Sequence, residues 1–135
     1  MIVGQGIDLV KVKRIKEIYE KFGAKFLYRI FSTKEIESFK SFQNSNKLLF
    51  FQKFATRFAA KEAAVKAIGT GFSKGIIFKD IEILKKKNGQ PKLKFKNNAL
   101  KQLKKNFQIK SKFTLNLSMS NEKNYAIAIV TISKY

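Results

Sequence analysis

The chain of 135 residues contains no cysteine and no histidine. Without cysteine it cannot form a disulfide, attack a substrate through a thiolate or hold a metal ion through sulfur. Without histidine it lacks the most common general base and the most common metal ligand in proteins. Any metal ion must therefore be held by oxygen atoms, which favours a hard cation such as Mg²⁺.

Acidic residues are also scarce, since nine stand against 29 basic ones and the formal net charge is +20. This excess predicts an anionic partner, such as nucleic acid, a membrane surface, a phosphorylated ligand or an acidic protein, although part of it can serve solvation alone. Only Arg14, Arg29 and Arg57 are arginines. Because arginine is the usual reader of base edges, this skew towards lysine weakens a prediction of sequence-specific DNA binding.

The sequence has no apolar run near the roughly 18 residues that a membrane span needs. Its start, M-I-V-G-Q-G-I-D, lacks the order of basic, apolar and small residues that marks a signal peptide. We therefore expect a cytoplasmic protein without a membrane partner, and the length predicts a single domain over residues 1–135.

Hydrophobic periodicity predicts an α+β fold with a mostly antiparallel sheet and a long central helix. The longest helix is expected from about Lys47 to Ile68, where Gly69 ends it. A loop is expected at 43–46 and a hairpin turn at Asn88-Gly89. The other expected elements are helices over 15–22, from Ser32 to about Phe39 and over 99–107, and strands over 2–10, 80–83, 92–95, 113–120 and 125–135.

Gly4, Gly6 and Asp8 share one face of the first predicted strand. Two absent side chains beside a carboxylate predict an open approach for a ligand. Alternatively, the glycines mark a bulge, and Asp8 caps the helix that follows.

Glu62 interrupts the apolar stripe of the long helix, which runs through Phe54, Phe58 and Val65. It can form an ordinary i,i+4 salt bridge with Lys66. It can also hold a cation beside a polyphosphate, because basic residues flank it on both sides. We predict that Asp8 and Glu62 are the only embedded carboxylates and that the other seven, Glu35, Asp80 and Glu82 among them, face water.

The ordered segments G-Q-G-I-D-L-V, R-I-F-S-T-K-E, R-F-A-A-K-E-A-A-V-K-A-I-G-T-G, D-I-E-I, N-G-Q-P and L-S-M-S-N-E-K-N-Y-A-I-A-I-V strongly resemble the holo-[acyl-carrier-protein] synthases. The resemblance covers nearly the whole chain, and F-A-A-K-E-A followed by G-T-G is its most specific part. It implies transfer of 4′-phosphopantetheine from coenzyme A to a serine of apo acyl carrier protein, with release of adenosine 3′,5′-bisphosphate.

The resemblance also implies roles for individual residues. Asp8 and Glu62 would bind Mg²⁺, and with Lys66 they form the predicted catalytic group. The family is typically a trimer with active sites between subunits, so a homotrimer is expected. The residues expected at the coenzyme A site are Arg57, Lys61, Lys66, Gly69, Thr70 and the turn Asn88-Gly89-Gln90-Pro91.

One segment departs from the family, whose late strand usually has histidine where this chain has Asn116 and Asn121. Asparagine keeps a hydrogen bond but cannot accept a proton at neutral pH. A mechanism with either histidine as base is therefore excluded, which leaves Glu62 or a metal-bound water to activate the serine.

The basic surface fits an acidic carrier protein, and Arg14, Lys21, Lys25 and Arg29 are the predicted docking residues. The competing hypothesis is a non-enzymatic RNA- or DNA-binding module. It is supported by the net charge, by the run Lys85–Lys87 and by the lysine and phenylalanine residues that alternate over 92–96. We therefore predict that the partner is a protein substrate, the acyl carrier protein, and that the chain does not bind nucleic acid.

Overall fold

The structure, a computed structural model, describes all residues 1–135. The helices are α1 (Val12–Phe22), α2 (Ala24–Ile30), α3 (Thr33–Glu37), α4 (Phe42–Ser45), α5 (Lys47–Ile68) and α6 (Asn97–Asn106), with a 3₁₀ turn at Phe78–Asp80. The strands are β1 (Ile2–Lys11), β2 (Ile81–Lys85), β3 (Pro91–Phe95), β4 (Phe113–Asn121) and β5 (Tyr125–Lys134). The predicted α+β class and the limits predicted for the long helix are confirmed. None of the helices combines the length and the apolarity that crossing a membrane requires.

The strands form two antiparallel sheets. One has the order β1-β5-β4, and the other is the β2-β3 hairpin. In the larger sheet Gly6 pairs with Val130, and Val130 pairs with Leu117. Because side chains alternate along a strand, one face carries Val10, Val130 and Ile132 into the core. The other face carries Ile7, Leu9 and Ile127, which stay exposed in the single chain.

Helix α5 lies against the inner face of the larger sheet, and the two glycines of β1 allow close approach. A Cβ atom on Gly6 would collide with the carbonyl oxygen of Ala63, and one on Gly4 would collide with that of Ala67. The glycine face of β1 is therefore filled by α5, and the predicted open approach for a ligand at this face is wrong. The glycines instead place Asp8 at the edge of the helix.

Around the N-terminal half of α5, aromatic side chains form most of the core. Phe54 contacts Phe31 edge to face, with ring centroids 5.1 Å apart, and stacks on Phe26 at 5.2 Å. A capping box opens α3, since Ser32 Oγ accepts from Glu35 N–H and Glu35 Oε1 accepts from Ser32 N–H. The predicted start of a helix at Ser32 is therefore confirmed, and Ile36 and Phe39 are buried.

Two predictions about local structure are corrected, and one helix adds to the predicted elements. The added helix is α2, which follows α1 after Gly23, where φ is 63°. A short helix occupies the segment predicted as a loop at 43–46. Glu35, Asp80 and Glu82, predicted to face water, are 0%, 4% and 6% exposed because each has a hydrogen-bonding partner in the interior.

Candidate active site

Asp8 of β1 and Glu62 of α5 form the acidic part of the candidate site. Asp8 follows Gly6 by two residues on the inner face of the strand, and Glu62 immediately precedes Ala63, against which Gly6 packs. Burial raises the pKa of Glu62, and the nearby Asp8 carboxylate raises it further, whereas Lys66 and Arg14 oppose the shift. The contact of Gly6 with Ala63, and that of Asp8 Oδ1 with Lys66 Nζ at 2.9 Å one turn after Glu62, show that the fold brings these sequence-distant residues together.

Lys66 supplies a positive charge to this pair. Its Nζ donates to Asp8 Oδ1 at 2.9 Å and to the carbonyl oxygen of Ile7 at 3.1 Å. Glu62 forms no ion pair with Lys66 within 4.0 Å, so the i,i+4 salt bridge considered from the sequence does not form. The ammonium ion lies on the sheet side of the site, where it compensates Asp8.

The donors at this site suit a hard cation. The two carboxylates and the Ile7 carbonyl group are all oxygen donors, and no cluster of three or more acidic side chains exists. Mg²⁺ is typically bound through one or two carboxylates, while water and substrate phosphates complete its octahedron. Asp8 and Glu62 therefore fit Mg²⁺ better than Ca²⁺, which takes six to eight oxygen ligands.

Arg57 and Lys53 form a basic group on α5, one to three turns before Glu62. Arg57 is 4% exposed, its Nη1 donates to the Lys53 carbonyl oxygen at 3.4 Å, and its Nε has no hydrogen-bond partner. The pKa of Lys53 is lowered by burial and then by the charges of Lys85 and Arg57. The Arg57 guanidinium lies over the Phe39 ring at 5.3 Å, and the Glu35 carboxylate opposes the lowering of its pKa by burial, so Nε is the one buried donor of this side chain without a partner.

Lys61 does not belong to this basic group. Its side chain is fully buried, and its three donors bond Glu35 Oε1 at 2.8 Å, Ile30 O at 2.8 Å and Phe78 O at 3.0 Å. The prediction that Lys61 lines the coenzyme A site is therefore corrected, because no donor remains for a phosphate. The sequence near Lys61 does not reveal that the side chain is buried and paired, because its partner Glu35 lies 26 residues earlier in the chain.

The glycine segment after α5 is a helix stop. Gly69 has φ 94° and its N–H bonds back to Lys66 O and Val65 O, as a left-handed C-cap does. Thr70 is half-buried, and its hydroxyl donates to Gly71 O at 2.9 Å. Both residues follow Lys66 closely in the chain, so a role beside it stays a prediction.

The Asn88–Pro91 turn joins β2 to β3 and is stabilised internally, since Asn88 Oδ1 accepts from Gln90 N–H at 3.0 Å. Pro91 lines a groove of about 370 Å³ between β3 and β4, together with Lys86, Lys92 and Asn116. The structure thus brings Pro91, part of the turn predicted at the coenzyme A site, beside Asn116.

The four predicted docking residues are all exposed, and they are divided between two helices. Arg14 and Lys21 lie on α1, and Lys25 and Arg29 lie on α2. Phe22, the last residue of α1, is 56% exposed. It lines an apolar groove of about 460 Å³ whose other residues are Ile18, Lys25, Phe26, Arg29, Ile30, Phe58 and Phe78.

Comparison with known proteins identifies relatives of this chain. The 4′-phosphopantetheinyl transferase superfamily matches residues 4–130. The holo-[acyl-carrier-protein] synthase of Ehrlichia chaffeensis is 44% identical over 132 residues, which are 98% of this chain and 97% of that protein.

Two solved structures share the fold. The holo-[acyl-carrier-protein] synthase of Neisseria meningitidis superposes with a TM-score of 0.79 at 36% identity, covering 99% of this chain and 100% of that one. The Bacillus anthracis holo-(acyl-carrier-protein) synthase, in complex with CoA (3′,5′-ADP), gives a TM-score of 0.77 at 32% identity, covering 100% of this chain and 99% of that one.

Proposed function

The chain belongs to the 4′-phosphopantetheinyl transferase superfamily, and we propose that it transfers 4′-phosphopantetheine from coenzyme A to a serine of apo acyl carrier protein. The products are holo acyl carrier protein and adenosine 3′,5′-bisphosphate, which places the reaction in fatty acid biosynthesis. The observation that carries the proposal is the meeting of Asp8, Glu62 and Lys66 in a chain whose full length aligns with these synthases.

Asp8 and Glu62 hold Mg²⁺ in this proposal, and the reaction depends on it. Bound there, the ion supplies positive charge against the pyrophosphate of coenzyme A. The support is the all-oxygen donor set and the proximity of the two carboxylates, since burial and then the Asp8 charge raise the pKa of Glu62.

Glu62 is the candidate proton acceptor. The serine hydroxyl gives its proton to a Glu62 carboxylate oxygen while its Oγ forms a bond to the β-phosphorus. The bond from that phosphorus to the oxygen bridging the α-phosphate breaks, and adenosine 3′,5′-bisphosphate leaves with the electron pair. Burial and then the Asp8 carboxylate raise the pKa of Glu62 in the protein without metal. The oxygen that accepts the proton would be the one not bound to the cation, because a bound cation lowers the basicity of its ligand. Asn116 and Asn121 cannot perform this step.

The coenzyme A site comprises Lys66, Arg57, Gly69, Thr70 and the Asn88–Pro91 turn. Arg57 enters this assignment through the resemblance to the family, and its Nε has no hydrogen-bond partner within the protein. Pro91 supports it because it lines a groove with two lysines. Lys61 acts indirectly, because it anchors α5, on which Glu62 and Lys66 lie.

The acyl carrier protein docks on α1 and α2 in this proposal. Arg14, Lys21, Lys25 and Arg29 attract its acidic surface, and the apolar groove beside Lys25 and Arg29 can accept an apolar side chain from it. A basic rim around an apolar centre is the usual composition of a protein–protein interface.

The active enzyme is a homotrimer in this proposal. The outer face of the larger sheet carries Ile7, Leu9 and Ile127, which are 54%, 61% and 38% exposed in the single chain. Side chains of this kind normally become buried when subunits associate.

The experiment that tests the function is mass spectrometry of apo acyl carrier protein after incubation with coenzyme A, Mg²⁺ and this protein. We expect the carrier protein to gain the mass of 4′-phosphopantetheine on its serine, and the Asp8→Asn variant to leave it unmodified. A carrier protein unchanged by the wild-type enzyme at saturating coenzyme A and Mg²⁺ would contradict the proposal.

A further inference from the structure

Lys66 compensates Asp8 from a different element of the fold. Its ammonium group extends from the last turn of α5 to two oxygen acceptors on β1, Asp8 Oδ1 and the Ile7 carbonyl oxygen. Glu62, one turn earlier on the same helix, has no ion-pair partner within 4.0 Å. The lysine thus neutralises one carboxylate of the pair and leaves the other without a direct cation.

We propose that the Lys66 ammonium is a tethered substitute for the metal ion, and that a divalent cation binds Asp8 and Glu62 only after displacing it. This inference rests on the proposed function, because it takes those two carboxylates as the metal site. It adds a competition between the protein's own cation and the metal ion.

The competition follows from the distances. A Mg²⁺ ion lies about 2.0–2.1 Å from a carboxylate oxygen, and the Lys66 Nζ already lies 2.9 Å from Asp8 Oδ1. Two cations on the same carboxylate would be separated by only a few ångströms. At a partly buried site their repulsion is several times stronger than in bulk water. The arrangement of lower energy therefore has either the Lys66 ammonium or the metal ion at Asp8, and not both.

The lysine is free to leave. Its side chain is 53% exposed, so the displaced ammonium group regains hydration at once. Lys61, five residues earlier, shows the opposite case: it is fully buried with three protein acceptors and cannot move without breaking the core. Of these two lysines, only Lys66 can move from the Asp8 carboxylate to another anion, such as a phosphate group.

Displacement also makes a positive charge available to substrate. Once it leaves Asp8, the ammonium remains attached to the last turn of α5, beside the carboxylate pair, and can bind a phosphate oxygen. An anion that binds Lys66 therefore removes the competitor of the metal ion. By thermodynamic linkage, the metal ion strengthens anion binding by the same factor.

The test is the binding of Mn²⁺, as a paramagnetic substitute for Mg²⁺, to the protein without coenzyme A, measured by electron paramagnetic resonance of the free ion. The variant is Lys66→Met, which keeps the length of the side chain and removes its charge. The matched control is Lys16→Met, because Lys16 is 55% exposed and pairs with Glu20 at 3.9 Å, outside the site. Circular dichroism establishes that all variants are folded.

We expect Lys66→Met to bind Mn²⁺ about fivefold more tightly than wild type, the upper end of the scale of exposed ion pairs because Asp8 is only 16% exposed, while Lys16→Met stays within about twofold. Unchanged or weaker binding by Lys66→Met would overturn the inference and leave the metal site standing. Equal tightening in both variants would also overturn it, because net charge alone would then explain the change. Mn²⁺ binding that survives in Asp8→Asn would instead refute the proposed metal site, and the inference with it.

Discussion

The Lys61 ammonium lies 2.8 Å from Glu35 Oε1, and neither side chain has any exposed surface. Burial lowers the pKa of Lys61, while Glu35 opposes this shift. The remaining Glu35 oxygen accepts from Ile83 N–H at 3.0 Å, so one ion pair joins α3, α5 and β2. This pair anchors the helix that carries Glu62 and Lys66.

The first prediction concerns this anchor. Lys61→Met leaves the Glu35 charge buried without a cation, so we expect a loss of about 3–5 kcal/mol in the free energy of unfolding. Urea denaturation measures this loss. The control is Lys13→Met, which removes a surface pair with Glu17 and should lower the free energy of unfolding by well under about 1 kcal/mol. If Lys61→Met were as stable as wild type and had a raised KM for coenzyme A, Lys61 would bind coenzyme A and would not be a structural anchor.

The second prediction separates stability from activity at Glu62. Because burial and then the Asp8 charge raise its folded pKa above the unfolded value, the ionised carboxylate opposes folding once the pH exceeds the unfolded pKa, and this penalty is complete above the folded pKa. Glu62→Gln should therefore stabilise the metal-free protein slightly, by less than about 1 kcal/mol, and abolish transfer. Thermal unfolding and the transfer assay at saturating Mg²⁺ measure the two effects. Normal turnover by the variant would refute the assigned role.

The third prediction concerns docking. Reversal of Arg14 and Arg29 to Glu should raise the apparent KM for the carrier protein and flatten its dependence on salt, because exposed charges mainly steer encounter. The KM for coenzyme A should hardly change. Lys101→Glu, on the exposed surface of α6, is a control for the loss of net charge. If coenzyme A affinity fell while carrier affinity held, the two arginines would belong to the nucleotide site.

The fourth prediction is a pH dependence at Glu82. Burial alone would raise its pKa, but the hydrogen bonds from Lys96 at 2.7 Å and Ser32 at 3.3 Å, with the charge of Lys96, lower it overall. A carboxylate with a lowered folded pKa stabilises the fold above its unfolded pKa, and this contribution is lost as the pH falls through the folded value.

Lys96→Met should therefore destabilise the protein at neutral pH by about 1–3 kcal/mol, and the difference from wild type should shrink below about pH 4.5. Urea denaturation across this pH range checks it. A difference that stays constant down to the acid limit would mean that Lys96 acts through packing and not through the charge of Glu82.

The fifth prediction concerns assembly. Light scattering should give three times the 15.5 kDa mass of the chain. Leu9→Asp places a charge on the outer face of the sheet and should produce an inactive monomer, whereas Leu48→Asp, at an exposed position of α5 outside that face, should leave the assembly intact. A fully active wild-type monomer would contradict the proposed trimer.

The sequence predicted those features that depend on neighbouring residues. The Ser32–Glu35 capping box, the limits of α5 and the C-cap at Gly69 all follow from local spacing. The structure corrects predictions that depend on distant partners. Glu35 looked exposed because Lys61 lies 26 residues away, and Glu82 looked exposed because Lys96 lies 14 residues away across a hairpin.

The glycines of β1 show the same limit. Their pattern indicated a special use of the strand, but whether a ligand or a helix fills the space beside Gly4 and Gly6 depends on the tertiary fold. Similarly, the pairing of Lys66 with Asp8 instead of Glu62 follows from the approach of α5 to β1, which no spacing within the helix reveals.

The contact of Gly6 with α5 has a consequence for ion selectivity. If Asp8 and Glu62 hold the metal, the separation of their carboxylates is fixed by the distance between sheet and helix, and Gly6 sets the minimum of that distance. Mg²⁺ requires oxygen atoms at about 2.0–2.1 Å and Ca²⁺ accepts about 2.3–2.6 Å, so a small widening would already favour the larger ion. The ionic radius that the enzyme accepts is then determined by a residue that never touches the ion.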